Sequence, residues 1–119
     1  MELVTQHFIM SKDLNAFGNV FGGTVLAWLD EAGAVYVMQK INYKNIVTVS
    51  MDNVNFRNPA KMGDILQIFA ETIRTGKSSI RVRVEAIARD NNQPDRVIID
   101  CEITYVCLKD GKPYPHFTT

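Results

Sequence analysis

The sequence predicts an α+β fold in which one long, buried helix is wrapped by a five-stranded antiparallel sheet. A single segment, from Gly22 or Gly23 to Lys40, has the length and composition of a long helix. It is apolar on almost every side, which is typical of a helix covered by other elements. Strand-like segments precede and follow it, and short turns join those that follow. The 119 residues suffice for one domain, residues 1–119, whose core needs no disulfide or metal.

The first part of the chain divides into a strand, a loop and the helix. Residues 3–9 are predicted as a strand, and residues 11–21, rich in Asn, Asp and Gly, as a loop. Within the helix only four residues are charged or strongly polar, namely Asp30, Glu31, Gln39 and Lys40. In so small a protein such a helix must be wrapped by the rest of the chain, so we expect it to be buried on most sides.

Four strands are predicted after the helix. They span residues 47–56, 65–74, 80–89 and 97–108, with turns at 58–64 and 75–78 and a polar loop at 90–95. In the first of them the apolar alternation slips by one residue between Met51 and Val54, which indicates a β-bulge. Apolar and mostly charged residues alternate along 80–89, which predicts one face on the core. Because the turns between successive strands are short, we expect antiparallel pairing.

Composition and charge exclude several classes of partner. Thirteen basic and thirteen acidic residues leave no net charge, which argues against a broad nucleic-acid surface. The N-terminus has no apolar leader and no run approaches the length of a bilayer span, so we expect a cytoplasmic protein without a membrane partner. Cys101 and Cys107 lie six residues apart in one predicted strand, about 20 Å and beyond disulfide reach. His7 and His116 lack further ligands at metal-binding spacing, and we expect neither metal nor another cofactor.

The start of the helix and one carboxylate within it carry the most specific chemical signal. Gly22 and Gly23 allow a ligand to approach the backbone closely, and the first N–H groups of a helix have no intrahelical partner. Such an end can hold an anion, or an oxygen that becomes one during a reaction. Asp30 lies two turns further on, and a carboxylate in an apolar segment is costly unless it is used. These features indicate acyl transfer, although position 30 also fits an acid at the exposed margin of the helix.

Three motifs along the chain resemble those of one known family. They are Asp13-x-Asn15-x-x-Gly18-x-x-Phe21-Gly22-Gly23 followed by Asp30, then Val54-x-Phe56-x-x-Pro59-x-x-x-Gly63-Asp64, then Gly76-Lys77-Ser78-Ser79. The chain thereby resembles the hotdog-fold acyl-CoA thioesterases, in the branch of bacterial and cytosolic long-chain acyl-CoA hydrolases. The resemblance implies the hotdog fold and the hydrolysis of acyl-CoA to a free acid and CoA. It implies that Asp30 is the catalytic carboxylate, acting as base or nucleophile.

The same resemblance implies roles for residues around the helix start. It places Asn15 in the site, where its amide would orient water or the thioester carbonyl, although Asn is also a common turn former. The N–H of Gly23 is the expected oxyanion donor. Phe21 and Gly22 are expected to contact the substrate.

A second group of expected substrate contacts lies in the turn between two strands. The resemblance makes Gly76, Lys77, Ser78 and Ser79 contacts for the nucleotide or pantetheine end of CoA. An ordinary hairpin is the alternative interpretation of the same residues.

The resemblance also implies a homodimer with a continuous sheet, assembled further into a tetramer or hexamer. Gly23 and Asp30 are seven residues apart, about 10 Å of helix rise, which is too far for both to act on one reacting carbon. An antiparallel partner helix would bring its own Asp30 alongside Asn15 and Gly23. We therefore predict composite sites, with Asn15 and Gly23 from one subunit and Asp30 from the other.

Two other functions fit the predicted fold. A non-catalytic acyl-CoA-binding hotdog module would not need Asp30 and would normally be joined to an output domain. A hotdog dehydratase or hydratase needs a histidine base near the helix, and the helix holds none. Thioester hydrolysis is therefore the preferred interpretation.

Overall fold

A computed structural model describes residues 1–90 and 92–117 as one long helix packed on an antiparallel sheet. The helix α1 spans Gly22–Ile41, and a short 3-10 helix at Ser11–Asp13 lies in the loop before it. The strands are β1 (Glu2–Phe8), β2 (Ile46–Phe56), β3 (Ile65–Thr75), β4 (Ser79–Asp90), β5 (Gln93–Lys109) and β6 (Lys112–Pro113). The predicted class, one helix on an antiparallel sheet, is confirmed.

One side of α1 forms the centre of the core. Its buried residues are Val25, Leu29, Ala32, Gly33, Tyr36 and Val37. The opposite side is not covered within one chain, because Ala27 and Glu31 are exposed. The expectation of burial on most sides is thus wrong for a single chain, since a sheet curled round one side of a helix leaves the other side free. At the end of α1, Asn42 adopts the left-handed conformation, with φ of 52°, that ends helices.

The strand order is β1-β3-β4-β5-β2, with β6 paired to β5, and all pairs are antiparallel. Successive strands are neighbours for β3–β4 and β4–β5, as their short turns predict. The expectation is wrong for β2 and β3, because β4 and β5 lie between them. The connection from β2 to β3 instead pairs with the loop before α1, where the Val20 N–H donates to the Ala60 carbonyl at 2.9 Å. Such a hydrogen bond satisfies backbone groups of the connection where it passes from one edge of the sheet towards the other.

The predicted bulge in β2 is confirmed. The register between β2 and β5 shifts between Asp52 and Asn55, and Asn53 has a positive φ of 51°. A further shift between Thr48 and Ser50 was not evident from the alternation. Register shifts of this kind bend a strand locally and increase its twist.

The polar segment 90–95 is mostly strand rather than loop. β5 begins at Gln93, which pairs with Asp90, and Ala88 pairs with Arg96 further along. The prediction was wrong because both faces of a strand can be polar where it extends beyond the core. Salt bridges replace apolar contacts there, and Arg96 reaches the buried Asp64 at 2.8 Å. The sixth strand, β6, is too short to show a pattern in the sequence.

The alternation along β4 is confirmed, because its five apolar core positions are buried. They are Ile80, Val82, Val84, Ala86 and Ala88. Cys101 and Cys107 are separate, buried thiols on β5, and burial raises the pKa of Cys101 to about 12. Among residues 1–90 and 92–117, no helix has the length and apolarity needed to cross a membrane.

Candidate active site

Asp30 lies in the third turn of α1, half-buried, with its carboxylate facing the sheet edge formed by β2. The hydroxyl of Thr48 donates a hydrogen bond of 2.7 Å to Oδ1 of Asp30. The hydroxyl of Tyr105, on β5, lies 3.2 Å from the same oxygen and 2.7 Å from the Asp30 backbone carbonyl. Asp30 is therefore not an acid on the open margin of the helix, because two hydroxyl groups of the sheet hold it. Its neighbour Glu31 is exposed, as expected.

Tyr105 reaches the helix because α1 has no side chain at position 33. A Cβ built on Gly33 would overlap the Tyr105 hydroxyl oxygen and lie 3.1 Å from Cζ of its ring. Burial raises the pKa of the Tyr105 phenol, and the adjacent Asp30 carboxylate raises it further, so the hydroxyl remains protonated and a donor. Thr48 and Tyr105 are direct cross-strand partners in the β2–β5 register, which fixes the two hydroxyls side by side.

The two glycines at the start of α1 have different surroundings. A Cβ on Gly22 would lie 2.7 Å from a ring carbon of Phe56, whereas one on Gly23 would meet nothing within 4 Å. Neither N–H donates a hydrogen bond within the described part of the chain, since the first helical donors, Thr24 and Val25, bind the carbonyl of Phe21. Gly23 thus presents an open backbone donor at the positive end of the helix. Gly22 instead lies against the ring of Phe56.

Asn15 shapes the loop before the helix. Its side-chain oxygen accepts hydrogen bonds from the N–H groups of Phe17, at 2.8 Å, and Asn19, at 3.2 Å. This is the turn-forming role named above as the alternative. Its amide nitrogen makes no hydrogen bond in the described ranges and is free to donate. Phe21, which precedes the helix, is 53% exposed.

A cavity of about 260 Å³ opens beside the start of α1. Gly22 and Val25 of the helix line it on one side, and Phe56 and Ile99 line it on the other. Most of its walls are apolar, and Arg57 lies at its rim with half of its side chain exposed. The cavity is suited to an apolar chain with a polar group at one end.

The turn at Gly76–Ser79 is a tight hairpin between β3 and β4. The Gly76 N–H donates to the Ser79 carbonyl at 2.8 Å, and a Cβ on Gly76 would come within 2.6 Å of the Ser79 hydroxyl oxygen. The Ser78 carbonyl accepts the Cys107 N–H, and Lys77 is exposed. All of this fits the ordinary hairpin, while the Lys77 ammonium makes no contact in the described residues that would stop it from binding an anion.

The structure brings together some of the predicted site residues and separates others. Tyr105 pairs with Thr48 on one side and with Ile80 on the other, so Asp30 and the Gly76–Ser79 hairpin lie towards the same end of the sheet. The cavity is lined by Ile99, six residues from Tyr105 along β5, and by Val25, five residues before Asp30 on α1, so its nearest wall lies about 8 Å of helix rise from Asp30. Within one chain, Asp30 is therefore not in contact with the helix start.

A buried ion-pair network supports the sheet beside the cavity. Asp100, which is 2% exposed, accepts hydrogen bonds from Arg57 and Asn55, and Arg83 lies 3.7 Å away. Burial by itself would raise the pKa of Asp100, but the hydrogen bonds from Arg57 and Asn55 outweigh it and lower the pKa below its ordinary value.

His7 lies closer to the helix than its place in the sequence suggests. Its ring stacks on Trp28 of α1 at 4.3 Å between centroids, with 8° between the planes. However, β1 and β2 form opposite edges of the sheet, so His7 is remote from Thr48 and its carboxylate partner. In residues 1–90 and 92–117, no three metal-ligating side chains gather at one point.

Sequence reasoning missed Thr48 and Tyr105. Neither belongs to a motif, and their partnership with Asp30 depends on which strand occupies the edge of the sheet. Gly33 was the one available signal, because a glycine inside an apolar helix marks a close approach by another group.

The chain matches a known protein family and known relatives. Residues 17–95 match the model of a family described as the thioesterase superfamily. A Haemophilus influenzae protein, described as an uncharacterised acyl-CoA thioester hydrolase, is 32% identical over 113 residues, covering 92% of this chain and 73% of that protein.

Solved structures show the same fold. Cj0915 of Campylobacter jejuni, a hexameric hotdog-fold thioesterase, superposes with a TM-score of 0.84 at 34% identity, covering 97% of this chain and 90% of that one. An acyl-CoA hydrolase of Staphylococcus aureus, solved with butyryl coenzyme A and coenzyme A, gives a TM-score of 0.85 at 34% identity, covering 93% and 68%. The hotdog fold implied by the sequence motifs is confirmed.

Proposed function

This chain belongs to the thioesterase superfamily, and we propose that it hydrolyses acyl-CoA to a free acid and CoA with Asp30 as the catalytic carboxylate. The observation that carries the proposal is the position of Asp30, half-buried on α1 and held through one oxygen by the hydroxyls of Thr48 and Tyr105. A carboxylate fixed in this way is oriented for reaction, and within residues 1–90 and 92–117 no cationic side chain forms a salt bridge with it.

The reaction places negative charge on the thioester oxygen, and the helix start offers the group that stabilises it. Asp30 either takes a proton from an attacking water or attacks the carbonyl carbon itself. The tetrahedral oxygen that results would accept the free N–H of Gly23 at the positive end of α1. Collapse of this intermediate breaks the carbon–sulfur bond and releases CoA. If Asp30 is the nucleophile, water then hydrolyses the acyl anhydride.

We further propose that each site is built from two chains. The separation of Asp30 from Gly23 along one rigid helix supports this arrangement, as does the exposed side of α1, which a second chain can cover. In this arrangement Asn15 and Gly23 of one chain and Asp30 of its partner surround one thioester. The relative from Campylobacter is described as hexameric, and we propose a hexamer of three such dimers; the tetramer finds no support among these relatives.

The cavity at the helix start would take the first part of the acyl chain or of pantetheine, because its walls are largely apolar. The exposed Lys77 of the Gly76–Ser79 hairpin would contact a phosphate of CoA. The Staphylococcus relative binds butyryl coenzyme A, a short acyl chain, so we propose that activity is not confined to long chains.

The deciding experiment is turnover of a panel of acyl-CoAs of graded chain length, read out as thiol release. We expect hydrolysis of at least one member, and loss of it in Asp30→Asn. A chain that binds acyl-CoA but releases no thiol from any of them would be a binding module and would contradict the proposal.

A further inference from the structure

The two hydroxyls that contact Asp30 act on the same carboxylate oxygen. Thr48 donates to Oδ1 at 2.7 Å, and Tyr105 lies 3.2 Å from that atom. No donor in residues 1–90 and 92–117 reaches Oδ2. The two oxygens of the carboxylate are thus unequal, one anchored to the sheet and one free.

Resting on the proposed function, we infer that Tyr105 is a positioning residue for thioester hydrolysis, which holds Asp30 through Oδ1 and leaves Oδ2 as the reacting oxygen. Its hydroxyl also binds the backbone carbonyl of Asp30 at 2.7 Å, so it fixes the main chain and the side chain of the same residue. Thr48 contacts the carboxylate only, and its side chain lies on an edge strand. Tyr105 is 1% exposed, so its ring is held by the surrounding core.

Gly33 also contributes to the positioning of Asp30, because it makes room for Tyr105. The phenol reaches the Asp30 carbonyl only because position 33 has no Cβ, since a methyl group there would occupy the place of the hydroxyl oxygen. Any residue larger than glycine would push Tyr105 away from α1, and the carboxylate would lose its anchor. We therefore expect the effects of substitutions at Gly33 and Tyr105 on kcat to be non-additive.

The chain offers a matched control on the same helix. Tyr36 is also buried, and its hydroxyl forms one hydrogen bond of 2.8 Å with Thr72, away from Asp30. Tyr36→Phe and Tyr105→Phe each remove one buried hydroxyl from the contact between helix and sheet. Both should therefore lower the melting temperature, Tyr36→Phe by about 5 °C and Tyr105→Phe by somewhat more, because the Tyr105 hydroxyl contacts two oxygens of Asp30.

The test compares kcat and KM of wild type, Tyr105→Phe, Tyr36→Phe and Gly33→Ala well below their melting temperatures. We expect Tyr105→Phe to lower kcat by about 10-fold with KM within about two-fold of wild type, because orientation of the reacting group is lost while binding is kept. Tyr36→Phe should keep kcat within about two-fold of wild type. Gly33→Ala should reproduce the kcat loss, and the double variant Gly33→Ala/Tyr105→Phe should show no further loss.

The outcomes separate this inference from the proposed function. A wild-type chain that hydrolyses no acyl-CoA overturns the proposed function and this role of Tyr105 with it. If wild type is active and Tyr105→Phe keeps its kcat, or loses it only as much as Tyr36→Phe, the positioning role is overturned while hydrolysis stands. Should Gly33→Ala fail to fold, the comparison of the two tyrosine variants still decides.

Discussion

Gly22 lies beneath the ring of Phe56, so close that a methyl group there would come within 2.7 Å of a ring carbon, while the next residue, Gly23, faces open space. The two glycines look equivalent in sequence, yet only the first lies against another side chain. Gly23 has no side chain to cover its free N–H, which lies at the N-terminal end of the 20-residue helix. Substitutions at these neighbouring positions can therefore compare the contact with Phe56, at Gly22, with access to the free N–H, at Gly23.

The variant Gly23→Val should fold normally and lose activity. A Cβ at this position has no atom of the described residues within 4 Å, and the side chain would lie where the thioester carbonyl is proposed to approach the helix. We expect kcat to fall more than affinity for a non-hydrolysable CoA thioether, because an oxyanion donor acts mainly on charge that develops in the transition state. Gly22→Val is the comparison: its side chain would lie against Phe56 and in the cavity wall, so it should lower affinity for the thioether as well as kcat. Equal losses of rate and affinity in Gly23→Val would indicate a blocked pocket.

Asp30→Asn should abolish most hydrolysis while the fold stays intact. The amide oxygen can still accept the hydroxyls of Thr48 and Tyr105, so the packing around α1 is retained, but the charge is lost. Loss of a general base typically costs about 10²- to 10⁴-fold in rate. Steady-state turnover and thermal melting measured on the same samples check both parts. Turnover within a few-fold of wild type would remove Asp30 from the mechanism.

Composite sites can be detected by complementation between inactive chains. Equal mixing of Asn15→Ala and Asp30→Ala chains gives half mixed dimers, each with one intact and one doubly altered site. Activity should therefore return to about a quarter of wild type after verified subunit exchange. If both residues acted within one chain, every site would carry a lesion and the mixture would stay inactive.

The chain should not be a monomer. On the edge strand β2, Val47 and Val49 are 41% and 55% exposed, and an unpaired antiparallel edge readily pairs with another. With chains of 13.4 kDa, light scattering at micromolar concentration should give about 80 kDa for the hexamer. Val49→Lys should reduce the mass and the activity together. A wild-type mass of one chain would contradict this assembly.

Stability should fall in acid as Asp100 becomes protonated. Its folded-state pKa lies below the unfolded value of about 3.9, so its contribution is complete above that value and is lost as the pH falls through the folded pKa. At pH 7, Asp100→Asn should cost about 2 kcal/mol of unfolding free energy, because Arg57 and Arg83 lose their counter-charge. Urea unfolding of both proteins at pH 7 and pH 3 checks the sign. The difference should shrink at pH 3, and a constant difference would contradict it.

The sequence predicts those features that local pattern determines. The limits of α1, the buried face of β4 and the bulge before Val54 all follow from the spacing of apolar residues and glycines. The role of the edge strand does not, because the short connection after β2 gives no indication that two other strands separate β2 from β3. Thr48 lies beside the carboxylate only through that long-range arrangement.

The candidate site was predictable in part for the same reason. Asp30 and Gly23 are marked by their surroundings within one helix, where an acid and a bare glycine stand out. In the sequence, Tyr105 occupies an ordinary apolar position of an alternating strand. Its specific partner, the Asp30 backbone carbonyl, is contacted only by its hydroxyl. A polar contact between residues 75 apart in sequence depends on tertiary packing, which the periodicity of apolar residues does not predict.

The strand order also determines when the reaction centre can form during folding. β3, β4 and β5 are consecutive and joined by tight hairpins, so they can assemble by closing short loops. β1 and β2 come from the earlier half of the chain and add to the two outer edges. Amide hydrogens of β4 should accordingly exchange slowest with solvent, and those of β2 much faster. Asp30 can contact Tyr105 once α1 docks on the sheet, but it can contact Thr48 only after β2 has joined the edge. We therefore expect a collapsed chain whose sheet is incomplete to hydrolyse no acyl-CoA.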